Sequence, residues 1–360
     1  MKVSFPYMDT PVLYYKLLDL LGHDIIIPPR PTQHTINLGV KYAPEFACFP
    51  LKVLMGTYLE VEEMGADTIV TSGGHGPCRA GYYGKLHQKI LDNAGLDLDI
   101  IVFDAPKDWR PFLKNLKKIK LDNSWLKVMS VIKTAYALAH SMDRIEKLIH
   151  KNRAHALDSR KVSDAWEEIQ QKYMEIENRQ DIAGVEKWAR EKLAGLEYDF
   201  PKPDQRIKIG IIGEIYVVME GSTNNDIEEM LNELGCEVER SHYISEYIDS
   251  HLVPWKWKEY QHILDKADNY LEIMIGGHAK RSIGHIVDYK ERGFDGVIHL
   301  KPFGCLPELV SQSLLDRVSE DLDIPILSLS IDEQMAKANM LTRVEAFLDL
   351  IKQKKEEEIA

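Results

Sequence analysis

Residues 63–78, EMGADTIVTSGGHGPC, hold a short β-branched strand between a Gly/Asp turn and a Gly/Pro-rich turn that ends on a cysteine. Thr68–Thr71 has the length and residue types of a strand buried on both faces, and Ser72–Pro77 is built to break it. Residues 291–305, ERGFDGVIHLKPFGC, repeat the pattern. Glu63-Met64-Gly65-Ala66-Asp67 and Glu291-Arg292-Gly293-Phe294-Asp295 precede the strands, and Cys78 and Cys305 follow their aspartates by 11 and 10 residues. Gly-Gly-His also occurs twice, at Gly73–His75 and Gly276–His278. Together these matches predict two related lobes.

Around each unit, strand and helix signals alternate. In the first half, Lys2–Tyr7, Asp24–Ile27, Thr68–Thr71 and Ile100–Phe103 read as strands. Helices are expected over Leu13–Leu21, along the face Leu51, Leu54, Met55, Tyr58 and Leu59, and from about Tyr82. In the second half the strands are Ile207–Ile212, the run after Gly235, Val297–Leu300 and Ile326–Leu329. Helix faces there are Ile227, Met230, Leu231, Leu234 and, at the end, Leu341, Val344, Phe347, Leu348, Ile351. Strands alternating with helices predict an α/β fold with parallel, doubly wound sheets.

The middle of the chain differs. Met129, Ile132, Tyr136, Ala139 and Met142 recur at helical spacing, and Ser163 is placed to cap a helix carrying Trp166, Ile169, Tyr173 and Ile176. The expected organisation is an N-terminal α/β lobe over 1–106 with Cys48 and Cys78, a helical region over 107–203, and a C-terminal α/β lobe over 204–360 with Cys305.

Composition narrows the function classes. The 360 residues carry 57 acidic and 45 basic side chains, a formal charge of −12, which argues against general nucleic-acid binding. No run approaches the length of a membrane span, and the opening MKVSFPYMDT has no apolar signal core before Asp9, so a cytoplasmic protein without a membrane segment is expected. Four cysteines are too few for a disulfide framework.

Three of the four share a setting. Ligands in open parallel sheets collect beyond the carboxyl ends of strands, where Cys78 and Cys305 are expected. Cys48, in Pro44–Pro50, lies in a third such turn just before a helix, where a thiolate is favoured. Cys236, between a helix stop and a strand, reads as packing. No C-x-x-C pair is present, so the spacing is not that of a ferredoxin or zinc ribbon. His75 and His278 are loop polar groups by default, with a donor or fourth-ligand role as the alternative. Glu308 is placed to cap the helix after Cys305, and Trp255 and Trp257 are expected to pack. Gly210–Glu214 reads as a close strand–helix turn rather than a dinucleotide loop. Ser72–Gly76 could form an anion-binding nest, and no Walker-type phosphate loop occurs.

Several stretches together resemble a known family: Pro28–Thr32 (PPRPT), Pro44–Pro50 (PEFACFP), Thr68–Tyr82 (TIVTSGGHGPCRAGY), Gly213–Tyr216 (GEIY), Gly276–His278 (GGH), Pro302–Glu308 (PFGCLPE) and Thr342–Phe347 (TRVEAF). The chain resembles the DUF2229 family of CoA-protein activases, also labelled acyl-CoA dehydratase activase-related. It is more distantly similar to the iron–sulfur subunits of 2-hydroxyacyl-CoA dehydratases and benzoyl-CoA reductases, and to double-cubane cluster proteins. The resemblance implies two Rossmann-like lobes with a [4Fe–4S] cluster between them, ligated by Cys48, Cys78 and Cys305. It implies low-potential electrons delivered by an ATP-hydrolysing activase of the sugar kinase/Hsp70/actin superfamily, and an acyl-CoA or other small substrate. Subunits of the dehydratases act in pairs, so a homodimer is among the assemblies it implies. A double cubane draws on six cysteines per subunit, more than this chain has. Arg30, Lys41, Arg79, Lys280 and Arg281 are candidates to offset CoA phosphates, with solvated loop charge as the alternative. The competing functions are a non-catalytic iron–sulfur scaffold or cluster-transfer protein, and a zinc-thiolate protein.

Overall fold

The computed structural model describes residues 1–72, 78–103 and 109–359. His75, the rest of the first Gly-Gly-His turn and the expected lobe boundary at 106 lie outside the described residues.

Two sheets, each of four strands among the described residues, organise the chain. The first contains β1 (Lys2–Ser4), β2 (Asp24–Ile25), β3 (Thr68–Ser72) and β4 (Asp99–Phe103) in the order β2-β1-β3-β4. The second contains β5 (Ile207–Gly213), β6 (Cys236–Arg240), β7 (Gly296–Pro302) and β8 (Ile326–Ile331) in the order β6-β5-β7-β8. All pairings are parallel. The two orders are the same when each sheet is counted from its own first strand, so the fold is α/β with two Rossmann-like lobes of like topology.

The repeated Glu-x-Gly-x-Asp segment has a structural reason. Asp67 N–H donates to Lys2 O at 3.0 Å, and the Asp67 carboxylate accepts from Lys2 N–H at 2.9 Å. Asp295 makes the same reciprocal pair with Lys208, at 2.9 and 2.7 Å. Each aspartate therefore pins the start of the strand that leads to a cysteine turn against the first strand of its own sheet.

Helices cover the sheets. In the first lobe these are α1 (Val12–Asp19), α2 (Gln33–Tyr42), α3 (Phe49–Glu63) and α4 (Tyr83–Ala94). Between β4 and β5 the described elements are helical: α5 (Trp109–Ile119), α6 (Trp125–Asn152), α7 (Ser159–Met174) and α8 (Arg179–Ala194), with single 3₁₀ turns. The second lobe adds α9 (Ile215–Met219), α10 (Ile227–Glu233), α11 (Ile244–Leu252), α12 (Trp257–Lys266), α13 (Ala279–Glu291), α14 (Leu306–Gln312), α15 (Leu315–Leu322) and α16 (Lys337–Ile359). Helix α2, which has a weak apolar face, is fixed by a Thr32/Thr35 capping box and by contact with α3. That contact is backbone to backbone: a Cβ on Gly39 would fall 1.7 Å from Lys52 O, and one on Gly56 1.9 Å from Thr35 O.

Two details of the helical region differ from the sequence expectation. In α6 the buried side chains are Val128, Val131, Leu138, Ala139, Met142, Ile145 and Ile149, whereas Met129 and Ile132 are about half exposed. The apolar stripe of a long helix drifts around its axis, and the residues one position earlier face the first lobe. Helix α7 is capped by Asp158, whose side chain accepts from Arg160 N–H, while Ser163 sits inside the helix and donates to Glu229.

One apolar cluster spans both lobes, from Phe49, Val53, Met55 and Leu91 to Ile209, Val217, Ile298 and Leu348. Polar ties reinforce it: Tyr216 donates to Tyr7 O at 3.0 Å, and Lys52 meets Glu333 at 3.1 Å. Arg240, 2 % exposed, binds Asp9 of the first lobe at 3.1 Å, Glu146 of α6 at 2.5 Å and Glu228 of α10 at 3.4 Å. Removing one member of such a buried set leaves an uncompensated charge, a cost of about 3–5 kcal/mol. Among the described residues no helix is long and apolar enough to cross a membrane.

Candidate functional site

Each of the three singled-out cysteines is the residue immediately before a helix. Cys48 is the N-cap of α3, Cys305 the N-cap of α14, and Cys78 the N-cap of a 3₁₀ turn (Arg79–Tyr82) that runs into α4. Cys78 follows the carboxyl end of β3, and Cys305 follows that of β7, its counterpart in the second lobe. Pro50 and Pro307 lie in the first turns of α3 and α14, where a fixed φ suits helix entry and the missing N–H costs nothing.

Backbone contacts bring the three turns together. Phe49 N–H donates to Phe303 O at 3.3 Å, joining the Cys48 turn to the Cys305 turn. Arg79, next to Cys78, donates to Phe46 O at 2.8 Å and to Gly304 O, so one guanidinium ties all three. The second Gly-Gly-His borders the site: a Cβ on Gly277 would sit 3.8 Å from Cys78 Sγ and only 2.7 Å from the Pro307 ring. Gly277 also has φ +56, so both the space and the backbone conformation there call for glycine. All four cysteines are free thiols, with Cys48 and Cys305 buried and Cys78 half-buried. Cys236 packs at 0 % exposure in the core cluster, and burial pushes its thiol up to about 12.

The site's electrostatics are anionic in prospect. Burial raises all three thiols, and the carboxylates of Glu214 and Glu308 add to the rise at Cys78 and Cys305. Opposing this, the Tyr83 hydroxyl and Arg79 favour the thiolate at Cys48, and the N–H groups of Ala80 and Glu308 face the sulfurs of Cys78 and Cys305. Neither of those N–H contacts is aligned well enough to be a full cap. Tyr83 itself is pushed well above its usual range by burial and by the Cys48 sulfur. Glu214 caps α9 by accepting from the N–H groups of Tyr216 and Val217, yet burial still lifts it to about 7.

Glu308 does not cap α14. Its carboxylate points inward, to His299 at 2.9 Å, Ser311 at 2.8 Å and Ser282 at 3.2 Å. Burial raises it, but the hydrogen bond and charge of His299 outweigh that and hold it below the usual range. His299 in turn bonds Ser328 at 3.0 Å, so the chain Ser328–His299–Glu308 anchors the start of α14 to β7 and β8. His278 starts α13, edge-on to His242 with ring centroids 4.5 Å apart. Gly213–Glu214 is the expected close turn: a Cβ on Gly213 would fall 2.0 Å from Leu300 O.

The candidate phosphate-facing cations have protein partners. Arg30 pairs with Asp226, Lys280 with Asp268, and Arg281 with Glu246, the last two from buried positions. Lys41 lies over the Tyr42 ring, and Arg79 serves the cysteine turns. Trp255 and Trp257 are 80 % and 52 % exposed, so the packing expected of them is absent. Tyr83, Glu214 and His299 were not picked out from sequence; Glu214 lies inside the GEIY stretch and Tyr83 directly follows the TIVTSGGHGPCRAGY stretch, so both could have been.

The turns that carry the three soft thiols are joined to one another, and binding a thiophilic group there would release the protons that burial keeps on the thiols. Among the described residues no three or more His, Cys, Asp or Glu side chains converge as the donors of a single ion do.

Two like parallel lobes, with cysteine turns after β3 and β7 and a third before α3, define a two-lobed Rossmann-like α/β protein with thiols where the lobes meet. Residues 17–351 match the family model described as 2-hydroxyglutaryl-CoA dehydratase, D-component, and the chain belongs to that family. No curated protein matches it.

Proposed function

We propose that this chain is a [4Fe–4S] redox component that accepts low-potential electrons from an ATP-hydrolysing activase of the sugar kinase/Hsp70/actin superfamily and uses them to reduce a small substrate such as an acyl-CoA. Within its family it would stand with the DUF2229, activase-related branch. The observation that carries the reading is that Cys48, Cys78 and Cys305 arrive from both lobes at one place, tied by Arg79, while Cys236 stays in the core.

When bound, such a cluster supplies one electron at a time at a potential set by its surroundings. The chain's own residues would do the rest. The helix starts behind Cys78 and Cys305 offer N–H groups to their sulfurs, Arg79 holds the turns in register, and the buried Ser328–His299–Glu308 chain keeps α14 in place. With three protein thiolates, one iron is left for water, hydroxide or substrate, which favours substrate reduction over onward relay. Reduced thiols fit a cytoplasmic location.

The test is anaerobic purification with iron, sulfide and zinc analysis, followed by addition of the activase and ATP. Equal iron and acid-labile sulfide, with a spectrum that bleaches on ATP-dependent reduction, is the expected result. Stoichiometric zinc in a colourless protein contradicts the cluster, and a cluster that no ATP-dependent donor reduces favours a scaffold.

A further inference from the structure

We propose that Tyr83 is a positioning residue for the redox centre: its hydroxyl donates a hydrogen bond to the Cys48 sulfur and thereby raises the reduction potential of the group that Cys48 holds. This rests on the reading of Cys48 as a cluster ligand.

The contact is present in the structure, between Tyr83 Oη and Cys48 Sγ. With a neutral thiol either atom could donate; once the sulfur is a thiolate only the phenol carries a proton, so metal binding fixes the direction of the bond. The ring is held for this purpose. Tyr83 is the first residue of α4 and packs against the shared core. Its ring lies against His87, 5.8 Å between centroids, and buried His87 is bound in turn to Leu51 O at 3.0 Å and set edge-on to Tyr58. The next residue, Gly84, abuts β4 so closely that a Cβ would lie 2.2 Å from Val102 Cγ2. Helix α4 therefore cannot slide away from Cys48 without losing that fit. Cys78 and Cys305 face backbone N–H groups of their own helices instead, so Tyr83 makes the Cys48 corner electronically distinct. A donor to a ligating sulfur withdraws electron density and stabilises the reduced state.

Two measurements on the full chain test this. The first is the midpoint potential of wild type, Tyr83→Phe and Tyr82→Phe, the last a neighbouring exposed tyrosine as control. Tyr83→Phe should keep its iron and be harder to reduce, with the reduced-to-oxidised ratio at the wild-type midpoint falling several-fold, while Tyr82→Phe matches wild type. An unchanged midpoint in an iron-replete Tyr83→Phe protein overturns the proposal. The second uses cluster-free protein with tyrosine labelled at Cζ: the Tyr83 signal, assigned by its loss in Tyr83→Phe, should move on Cys48→Ala. That signal decides the matter if Tyr83→Phe loses its iron, and no movement overturns the inference alone. Absence of iron and sulfide from wild type removes the proposed function, and the inference with it.

Discussion

At the residue scale the site depends on side chains that are not ligands. Arg79 is exposed, yet it touches the Cys48 and Cys305 turns while adjoining Cys78. Outer contacts of this kind typically change metal affinity by roughly 10–100-fold when removed. Arg79→Ala should therefore lose iron at least about 10-fold faster to a chelator, with its circular dichroism unchanged. Wild-type retention would contradict the role given to Arg79. The Cys305 turn is legible from sequence, because Gly and Cys between prolines after a β-branched strand read as a turn leading into a helix. Arg79 is not, because its partners are carbonyl groups of residues 46 and 304, and a backbone carbonyl leaves no mark in the sequence.

At the element scale, the helical region is held by packing and by a few charge pairs. Glu186 of α8 accepts from Arg144 and Ser141 of α6 and from Arg190 on its own helix. The Arg144 hydrogen bond leads, and together these bonds outweigh burial and lower Glu186 to about 2. A depressed carboxylate contributes stability that is present above its unfolded value, near 4.5, and is lost as pH falls toward 2. Glu186→Gln should thus cost about 1–2 kcal/mol at pH 7, after discounting for solvent screening, and nothing near pH 2. Urea midpoints across that range check it; an equal loss at both ends would show a packing effect instead. The strands are legible because β-branched runs bounded by turns are strong signals, whereas α2 has only a weak apolar face. Beyond its capping box it depends on Gly39 and Gly56 admitting a second backbone, a contact made only in three dimensions.

At the scale of the whole molecule, the repeat is the organising fact. Asp67 and Asp295 make the same clasp in lobes of the same strand order, and each clasp starts a strand that delivers a cysteine. The lobes share a core and are tied by Arg240, so the site between their strand ends is built by both halves of the chain. That arrangement makes its strongest demand on which cysteines matter. The most direct measurement is the iron and sulfide content, after anaerobic preparation, of Cys48→Ser, Cys78→Ser, Cys305→Ser and Cys236→Ser proteins. The account predicts wild-type content in Cys236→Ser and most of the iron lost from each of the other three. Equal content in all four, or loss confined to Cys236→Ser, would contradict it.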